Sequence, residues 1–427
     1  MIEVTKSRCS SAIPQVARQL GIKDQETITQ AGSLVRRVLH RKKLIDRILD
    51  LAIDPTHLND LDPRIQSFLR IFAMTAKFDS KGLEEAAKLA AGGRSILGWK
   101  NMLSSEAHLG RILKIDVREI VSGLNEYDKI SMQTSYPVWF VKYCIHLLGR
   151  RETLRLLRYH KSPATYIRVG TSIHEEVLKE IGGASILLAE VEGLPYLYRV
   201  VRGRRLLTRT EAYTKRLFSF HDITSCLAAA LGRPRTGHIV FDVGFGSVDK
   251  AAYLSQLMNN KGKILSIDSS TRRLATLEHE ARKAGIEIVE TVLSRIDQPP
   301  LLDEQADIVV LNPRCTDTGI MWRAPSLKMR VKWGVEDAAK VQWRAIDGYA
   351  DYVKEGGTLV YWTRSITVEE NEVLIERFLK LHPEFRVVEA WPRLGEPGLR
   401  GQRECQRLYP HLHGTDCSFF AKLEREW

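Results

Sequence analysis

The spacing of apolar residues is helical from the N-terminus to about residue 130. A representative run carries apolar side chains at Leu34, Val38, Leu44, Ile45 and Ile48. This spacing places them on one face of a helix, which predicts amphipathic helices. Asp62 followed by Pro63 predicts a helix start, because aspartate caps helix N-termini and proline fits the first turn. The pattern therefore predicts an all-α domain over residues 1–130.

Residues 131–235 have a mixed pattern, with short strands predicted at 165–169 and 184–191. Two segments of this region, 149–161 and 198–209, are rich in arginine. Tyrosines lie in or near them, at Tyr159, Tyr166, Tyr196 and Tyr198. Arginines beside aromatic rings favour phosphate contacts and base stacking, although a merely solvated loop has the same composition. We therefore expect a mixed α/β linker region that contributes to nucleic-acid recognition.

Strands alternate with helices from residue 236 to the C-terminus. Apolar runs at 238–243, 263–268, 306–312 and 356–363 predict buried strands, and amphipathic segments separate them. This alternation is typical of an α/β fold with a doubly wound, mostly parallel sheet. Ligands of such folds bind at the carboxyl ends of the strands, so we expect the functional site there.

A glycine turn follows the first of these strands. Asp242 lies near the end of the strand, Gly244 and Gly246 follow it, and Asp268 ends the next strand. Glycines let the backbone approach a ligand, and an acidic residue at the second strand accepts hydrogen bonds from a ribose. The pattern lacks the third glycine of the dinucleotide motif, because position 249 is Asp. It therefore favours S-adenosylmethionine (SAM) over NAD.

The charge balance favours a polyanion as partner. The 427 residues include 64 Lys and Arg against 52 Asp and Glu, which leaves a net charge of +12. A basic protein attracts nucleic acid first, although a basic proteome gives the same excess. No apolar run is long enough for a membrane helix and the N-terminus does not resemble a signal peptide, so we expect a cytoplasmic protein. The six cysteines form no CxxC pair, so no metal site is predicted.

Several segments together resemble the RsmB/Nop-type (Fmu/Sun, NSUN-like) RNA cytosine-5 methyltransferases. The segment 356–372, GGTLVYWTRSITVEENE, is similar to the family's GGTLVYsTCSlxpEENE. The segment 312–319, NPRCTDTG, is similar to its DAPCSGTG box, and 268–274 to DxxxxRL. Gln342 and the closing segment 409–423 also match the family, and Leu61-Asp-Pro-Arg-Ile resembles its NusB-like domain.

The resemblance implies a three-part chain. It predicts an all-α NusB-like domain over 1–130, the mixed α/β region over 131–235, and a Rossmann-like class I methyltransferase domain over 236–427. It further implies SAM as cofactor, rRNA or tRNA as partner, and no role for a membrane; we favour a monomer. The cofactor-binding residues that it implies are Asp242, Gly244, Gly246, Lys250, Asp268 and Arg273.

The chain departs from the family where the chemistry takes place. Arg364 occupies the position of the nucleophilic cysteine, which attacks carbon 6 of cytosine, and Asn312 replaces the aspartate that holds the base. Only the second cysteine is kept, as Cys315. A guanidinium is no nucleophile, because it stays protonated in proteins. Standard cytosine-5 chemistry is therefore doubtful.

Three interpretations follow from these departures. Cys315 attacks instead, helped by Arg314 and Arg364, which would lower the pKa of its thiol. Alternatively, Asn312 and Pro313 orient an amino group for direct methylation, and Cys315 is only a small buried thiol. In the third interpretation, the protein is a catalytically inactive RNA-binding or assembly factor.

Overall fold

The computed structural model describes residues 9–80, 82–171, 174–244, 247–330 and 334–427. The helices of these ranges are α1 Cys9–Gln19, α2 Gln25–His40, α3 Lys42–Ile53, α4 Pro63–Phe78, α5 Gly82–Leu97, α6 Trp99–Lys114, α7 Val117–Ser122, α8 Glu126–Thr134, α9 Val138–Leu157, α10 His174–Gly183, α11 Arg204–Leu207, α12 Glu211–Thr214, α13 Ile223–Leu231, α14 Val248–Leu257, α15 Thr271–Lys283, α16 Val335–Ala350, α17 Glu372–Leu381 and α18 Pro410–His413. The strands are β1 Thr165–Val169, β2 Leu187–Glu190, β3 Leu197–Arg202, β4 Phe218–His221, β5 Ile239–Val243, β6 Lys263–Asp268, β7 Val289–Leu293, β8 Ala306–Leu311, β9 Val353–Thr363, β10 Phe385–Val388, β11 Glu396–Pro397, β12 Gln406–Leu408 and β13 Ser418–Arg425.

The first of two compact units is helical and comprises residues 1–160 together with 321–331. Its core is formed by the apolar faces of α3 and α4, including Ile45, Ile48 and Leu69, and by residues of α5 to α7. As predicted, Asp62 caps α4 by accepting a hydrogen bond from the backbone N–H of Arg64, and Pro63 is its first residue. The predicted run through residues 33–48 is divided between two helices, α2 and α3, at Arg41. The three-part division of the chain stays a prediction.

The segment 321–330 packs within the helical unit through Lys328. This side chain is buried, and its ammonium donates a hydrogen bond to the carbonyl oxygen of Thr134 at 2.9 Å. The ammonium also lies 3.8 Å from the centre of the Tyr136 ring, which is the range of a cation–π contact. The sequence places Lys328 near the predicted cleft, where it would contact phosphate or lie on a solvated loop. Both interpretations are wrong, because backbone and ring acceptors enclose its charge.

The second unit comprises residues 161–320 and 332–427. It contains a four-stranded antiparallel sheet in the order β2-β3-β1-β4, with α10 joining β1 to β2. One sheet face, including Ile167 and Tyr198, packs with residues of α10, whereas Tyr166 belongs to the core around α13. The idea that Tyr166 and Tyr198 stack on bases is therefore wrong for this structure, since both rings are buried.

The larger sheet of this unit orders its strands β11-β12-β13-β9-β8-β5-β6-β7, with β10 paired to β13. The strands β9, β8, β5, β6 and β7 run parallel, and β13 adds to β9 in the antiparallel direction. Apolar residues on both faces of the central strands form two cores. The predicted Rossmann-like, mostly parallel α/β sheet is confirmed. Among the described residues, no helix is long and apolar enough to cross a bilayer.

Candidate functional site

The glycine turn at the end of β5 lies directly against the end of β8. Gly244 has a φ of +76°, and a Cβ there would lie 2.5 Å from the carbonyl oxygen of Asn312 and 2.3 Å from Ile296 Cδ1. No other residue type fits without moving the backbone of β8. Gly246, the second predicted glycine of the turn, lies outside the described residues.

A buried ion pair supports this turn from inside the domain. The ammonium of Lys250, on α14, lies 2.5 Å from Asp242 Oδ1 and 3.5 Å from the carbonyl oxygen of Gly244. Neither side chain has exposed surface. Burial raises the pKa of Asp242, and the ammonium of Lys250 opposes that rise. Asp242 and Lys250 thus stabilise the turn by packing and charge, and direct contact with a cofactor stays a prediction.

Asp268 ends β6, as predicted, and its carboxylate is paired within the chain. It accepts hydrogen bonds from the backbone N–H of Ser270 and from Arg273 Nε, both at 2.8 Å. Arg273 is half-exposed and covers the carboxylate, which is 1% exposed. At the end of β7, Asp297 pairs with the guanidinium groups of Arg295 and Arg344, and the hydrogen bond from Arg295 lowers its pKa.

Three segments that were separate in the sequence meet at Gly319. The backbone N–H of Gly319 donates to the carbonyl oxygen of Arg364 at 2.9 Å, and its own carbonyl accepts from Cys417 at 3.1 Å. A Cβ at Gly319 would lie 2.1 Å from the carbonyl oxygen of Cys417 and 2.7 Å from that of Arg364. The boxes at 312–319 and 356–372 and the closing segment are thus in direct backbone contact.

Asn312 is held at the end of β8 by two hydrogen bonds. Its backbone N–H donates to the carbonyl oxygen of Val243 at 2.8 Å, and its Nδ2 donates to that of Trp362 at 2.8 Å. Because the Trp362 carbonyl oxygen accepts a hydrogen bond from the amide nitrogen and would repel the amide oxygen, this contact fixes the orientation of the Asn312 side chain. The residue is 5% exposed.

Cys315 and Arg364 both face Asp317. Arg364 Nη2 lies 3.3 Å from Asp317 Oδ1, and Cys315 Sγ lies 3.8 Å from the same oxygen. Burial, followed by the charges of Glu370 and Asp317, raises the pKa of the Cys315 thiol to about 12, and Arg364 offsets only part of that rise. The expectation that neighbouring arginines make this thiol a thiolate is therefore wrong.

Glu370, for which the sequence predicted no role, joins the two boxes. Its buried carboxylate accepts hydrogen bonds from the N–H and hydroxyl of Thr316 at 2.9 and 2.6 Å and from Thr367 Oγ1 at 2.8 Å. The hydroxyl of Ser365 and Nε2 of Gln342 donate as well. These donors satisfy a charge that would be costly to bury alone. The run Glu369-Glu370-Asn371-Glu372 was visible, but charged residues are normally exposed, so burial was not predicted.

The sequence places several basic residues at or just beyond the strand ends near the predicted cleft, where they would contact phosphate, but they occupy different places in the fold. Arg314 is exposed in the second unit, whereas Arg323 and Arg330 are exposed on the segment that packs within the helical unit. Lys332 lies outside the described residues. A common phosphate-binding role for these residues stays a prediction.

The comparisons with known proteins point to one family. Residues 229–424 match the family model described as "16S rRNA methyltransferase RsmB/F". The chain is 25% identical over 414 residues to a probable ribosomal RNA small subunit methyltransferase B of Bacillus subtilis, covering 92% of this chain and 89% of that protein. It is 30% identical over 226 residues to a tRNA (cytosine(72)-C(5))-methyltransferase of Pyrococcus horikoshii, covering 51% of this chain and 55% of that protein.

A solved structure extends the likeness over both units. The crystal structure of the protein PH0851 superimposes with a TM-score of 0.78 at 25% identity, and the match covers 99% of this chain and 96% of that one. The similarity therefore includes the helical unit as well as the residues that match the family model.

Proposed function

We propose that this chain is a member of the RsmB/F family of SAM-dependent RNA methyltransferases and methylates a base of rRNA or tRNA. The family and its methyl donor agree with the resemblance seen in the sequence. The proposal is that this chain is itself catalytically active, and one observation supports it most directly. The Gly244 turn, the end of β8 and the loop after β9 converge at one end of the parallel sheet, where ligands of this fold bind.

The residues at this end of the sheet fit SAM. A Cβ at Gly244 would fill the space against Asn312, so the chain keeps the close backbone approach that a nucleotide-type ligand requires. In the proposal, the turn holds the cofactor, and Asp268 receives its ribose hydroxyls when the half-exposed side chain of Arg273 turns away from the carboxylate. The buried pair of Lys250 and Asp242 keeps the turn in place. SAM supplies an electrophilic methyl group there, and the chain orients the base that receives it.

An arginine-rich surface in the second unit supports RNA as the partner. Its residues lie on β3 and around α11 and are all exposed: Arg199, Arg202, Arg204, Arg205 and Arg209. Together with the net charge of +12, they provide the electrostatic attraction on which binding to a phosphate backbone depends. A cytoplasmic location and a monomeric state belong to the same proposal.

The alternative of a catalytically inactive assembly factor rests on Arg364 at the position of the family's nucleophile. The comparisons do not support this alternative, because the relatives described above are named as methyltransferases. It is therefore kept only as an outcome of the test.

Binding of SAM and methyl transfer are tested with the full chain. We expect isothermal titration to detect SAM binding, and we expect Gly244→Ala to abolish it by filling the turn. Gly182→Ala, in an exposed helical position with free space around it, is the matched control. Labelled SAM with total RNA is expected to label rRNA or tRNA. RNA binding without SAM binding or label would contradict the proposal and identify an inactive RNA-binding protein.

RNA binding by the arginine-rich surface is tested through its salt dependence. For a single-stranded probe, each phosphate contact contributes about 0.7 to the slope of log affinity against log salt. The double variant Arg204→Gln, Arg205→Gln is therefore expected to lower that slope by up to about 1.4. The control is Arg282→Gln, Lys283→Gln, another adjacent exposed pair, at the end of α15. An equal effect of both pairs would assign no special role to this surface.

A further inference from the structure

Asn312 and Pro313, the two residues that follow β8, each carry a carbonyl-type oxygen. The amide nitrogen of Asn312 donates a hydrogen bond to the carbonyl oxygen of Trp362, which leaves Asn312 Oδ1 available as an acceptor. In the described part of the chain, no group donates a hydrogen bond to Asn312 Oδ1 or to the carbonyl oxygen of Pro313. Both residues are buried, but Asn312 Oδ1 is not among the fully enclosed side-chain atoms that lack a partner, so a ligand can reach it. The two acceptors therefore suit a ligand that brings two donors.

An exocyclic amino group is a ligand of that kind. Cytosine and adenine each carry an amino group with two N–H donors, whereas uracil presents a carbonyl oxygen at the corresponding edge. Two acceptors that hold the N–H bonds draw electron density toward nitrogen and make its lone pair more available. Arg314, the next residue, is exposed, and its planar guanidinium suits stacking on a base.

The same site is poorly suited to attack on carbon 6 of a pyrimidine. That reaction begins with a thiolate, and Arg364 stands where the relatives of this sequence family place their cysteine. Cys315 instead lies beside the carboxylate of Asp317, which disfavours a second negative charge. Asn312 is neutral and cannot balance the charge of a ring nitrogen that becomes protonated.

We propose that Asn312 Oδ1 and the Pro313 carbonyl receive the exocyclic amino group of an RNA cytosine or adenine, and that this nitrogen is the atom methylated. The amino nitrogen contributes the electron pair of the new C–N bond, and the donor's methyl–sulfur bond breaks with its electrons going to sulfur. The nitrogen then gives one proton to water, so no covalent bond to the protein is needed. This inference rests on the proposed methyltransferase function.

Binding of short RNAs tests the acceptor pair without any methyl transfer. We expect the full chain to bind pentacytidylate or pentaadenylate about tenfold more tightly than pentauridylate, because a well-formed donor–acceptor pair discriminates bases by that order. The two amino-bearing probes also decide between the two bases. Equal affinity for all three probes in the wild-type chain would overturn the inference.

Asn312→Ala is expected to remove this preference. The control is Gln305→Ala, since Gln305 also donates an amide hydrogen bond to a backbone carbonyl, that of Asp351 at 2.8 Å, and immediately precedes the same strand. A preference that survives Asn312→Ala would assign it to another part of the chain. If the variant does not fold, the comparison of the three probes on the wild-type chain still decides.

The position of the transferred methyl group separates this inference from the proposed function. Nucleoside analysis of labelled RNA is expected to show N4-methylcytidine or N6-methyladenosine. RNA carrying tritium at carbon 5 of cytidine is expected to keep it, and 5-fluorocytidine RNA is expected to form no covalent adduct. Label in 5-methylcytidine, with release of tritium, would overturn the inference and leave the proposed function intact. If no RNA is labelled, the proposed function fails, and the binding comparison still decides whether the acceptor pair exists.

Discussion

At the scale of single residues, the identity of a neighbouring residue does not by itself determine whether a side chain in the site is ionised. Arg364 lies next to Cys315, and a nearby cation normally lowers a thiol pKa. In this site Asp317 pairs with the guanidinium of Arg364, and burial raises the pKa of the Cys315 thiol by more than Arg364 lowers it. All the groups around the Cys315 sulfur together determine whether it is a thiol or a thiolate, and the sequence shows only its neighbours along the chain.

We predict that Cys315 reacts slowly with iodoacetamide. With a pKa of about 12, its thiolate fraction at pH 8 makes alkylation on the order of a thousandfold slower than that of an exposed cysteine. Asp317→Asn removes a negative charge that raises this pKa, so the variant is expected to react faster. Asparagine tolerates the φ of +60° at this position. Mass spectrometry of the labelled peptide measures both rates, and a wild-type rate typical of exposed cysteines would contradict the prediction.

At the scale of elements, the site depends on how closely β8, β9 and β13 approach one another beyond their ends. Hydrogen bonds between strands set the spacing of the sheet, and the segments that follow inherit it. Gly319 is the point where this spacing leaves no room for a side chain. The sequence shows a glycine in the box at 312–319 but does not show the two carbonyl oxygens that exclude any other residue.

Gly319→Ala is therefore expected to lower the free energy of unfolding by about 1–3 kcal/mol, because a Cβ would overlap the carbonyl oxygens of Cys417 and Arg364. Urea unfolding at pH 7 measures the change. In the control Gly182→Ala, the new Cβ meets no atom within 4 Å, and alanine is the better helix former, so this variant is expected to be neutral or stabilised. Equal losses in both variants would show that the close approach at Gly319 is not what matters.

At the scale of the whole molecule, each unit contains a buried histidine whose pKa is lowered to about 3. For His40 in the helical unit the causes are burial and then the charge of Lys328, and for His221 in the second unit they are burial and then Arg168. Arg168 Nε donates a hydrogen bond to His221 Nε2 at 3.1 Å, which requires a neutral ring. Unfolding frees both histidines to take up a proton, so the stability of both units depends on pH.

The sign of this dependence follows from the lowered pKa. Below the ordinary pKa of about 6.5, the unfolded chain binds a proton that the folded chain does not, so the free energy of unfolding decreases as the pH falls toward 3. Between pH 7 and pH 5 we expect a loss of about 2 kcal/mol for each histidine. His221→Gln is expected to remove one such loss, and His279→Gln, at an exposed position on α15, to remove none. Urea unfolding at both pH values measures this, and equal pH dependence in the two variants would contradict it.

The sequence by itself determined the fold class, the resemblance to one family and the succession along the chain of the strands that carry the site. Periodicity is a local property, and the motif segments kept their residue order, so the start of α4 at Pro63 and the strand ends at Val243 and Asp268 were all predicted. These features depend only on residues close together along the chain.

Only the tertiary structure decided which side chains are charged, enclosed or available. The burial of Lys328, the joining role of Glu370 and the raised pKa of Cys315 arise from residues far apart in sequence. Desolvation and hydrogen bonding act over a few ångströms in space. Residues that are near or far apart along the chain can both come within that distance in the fold. For this reason the sequence named the residues of the candidate site, and only the packing assigned them their chemistry.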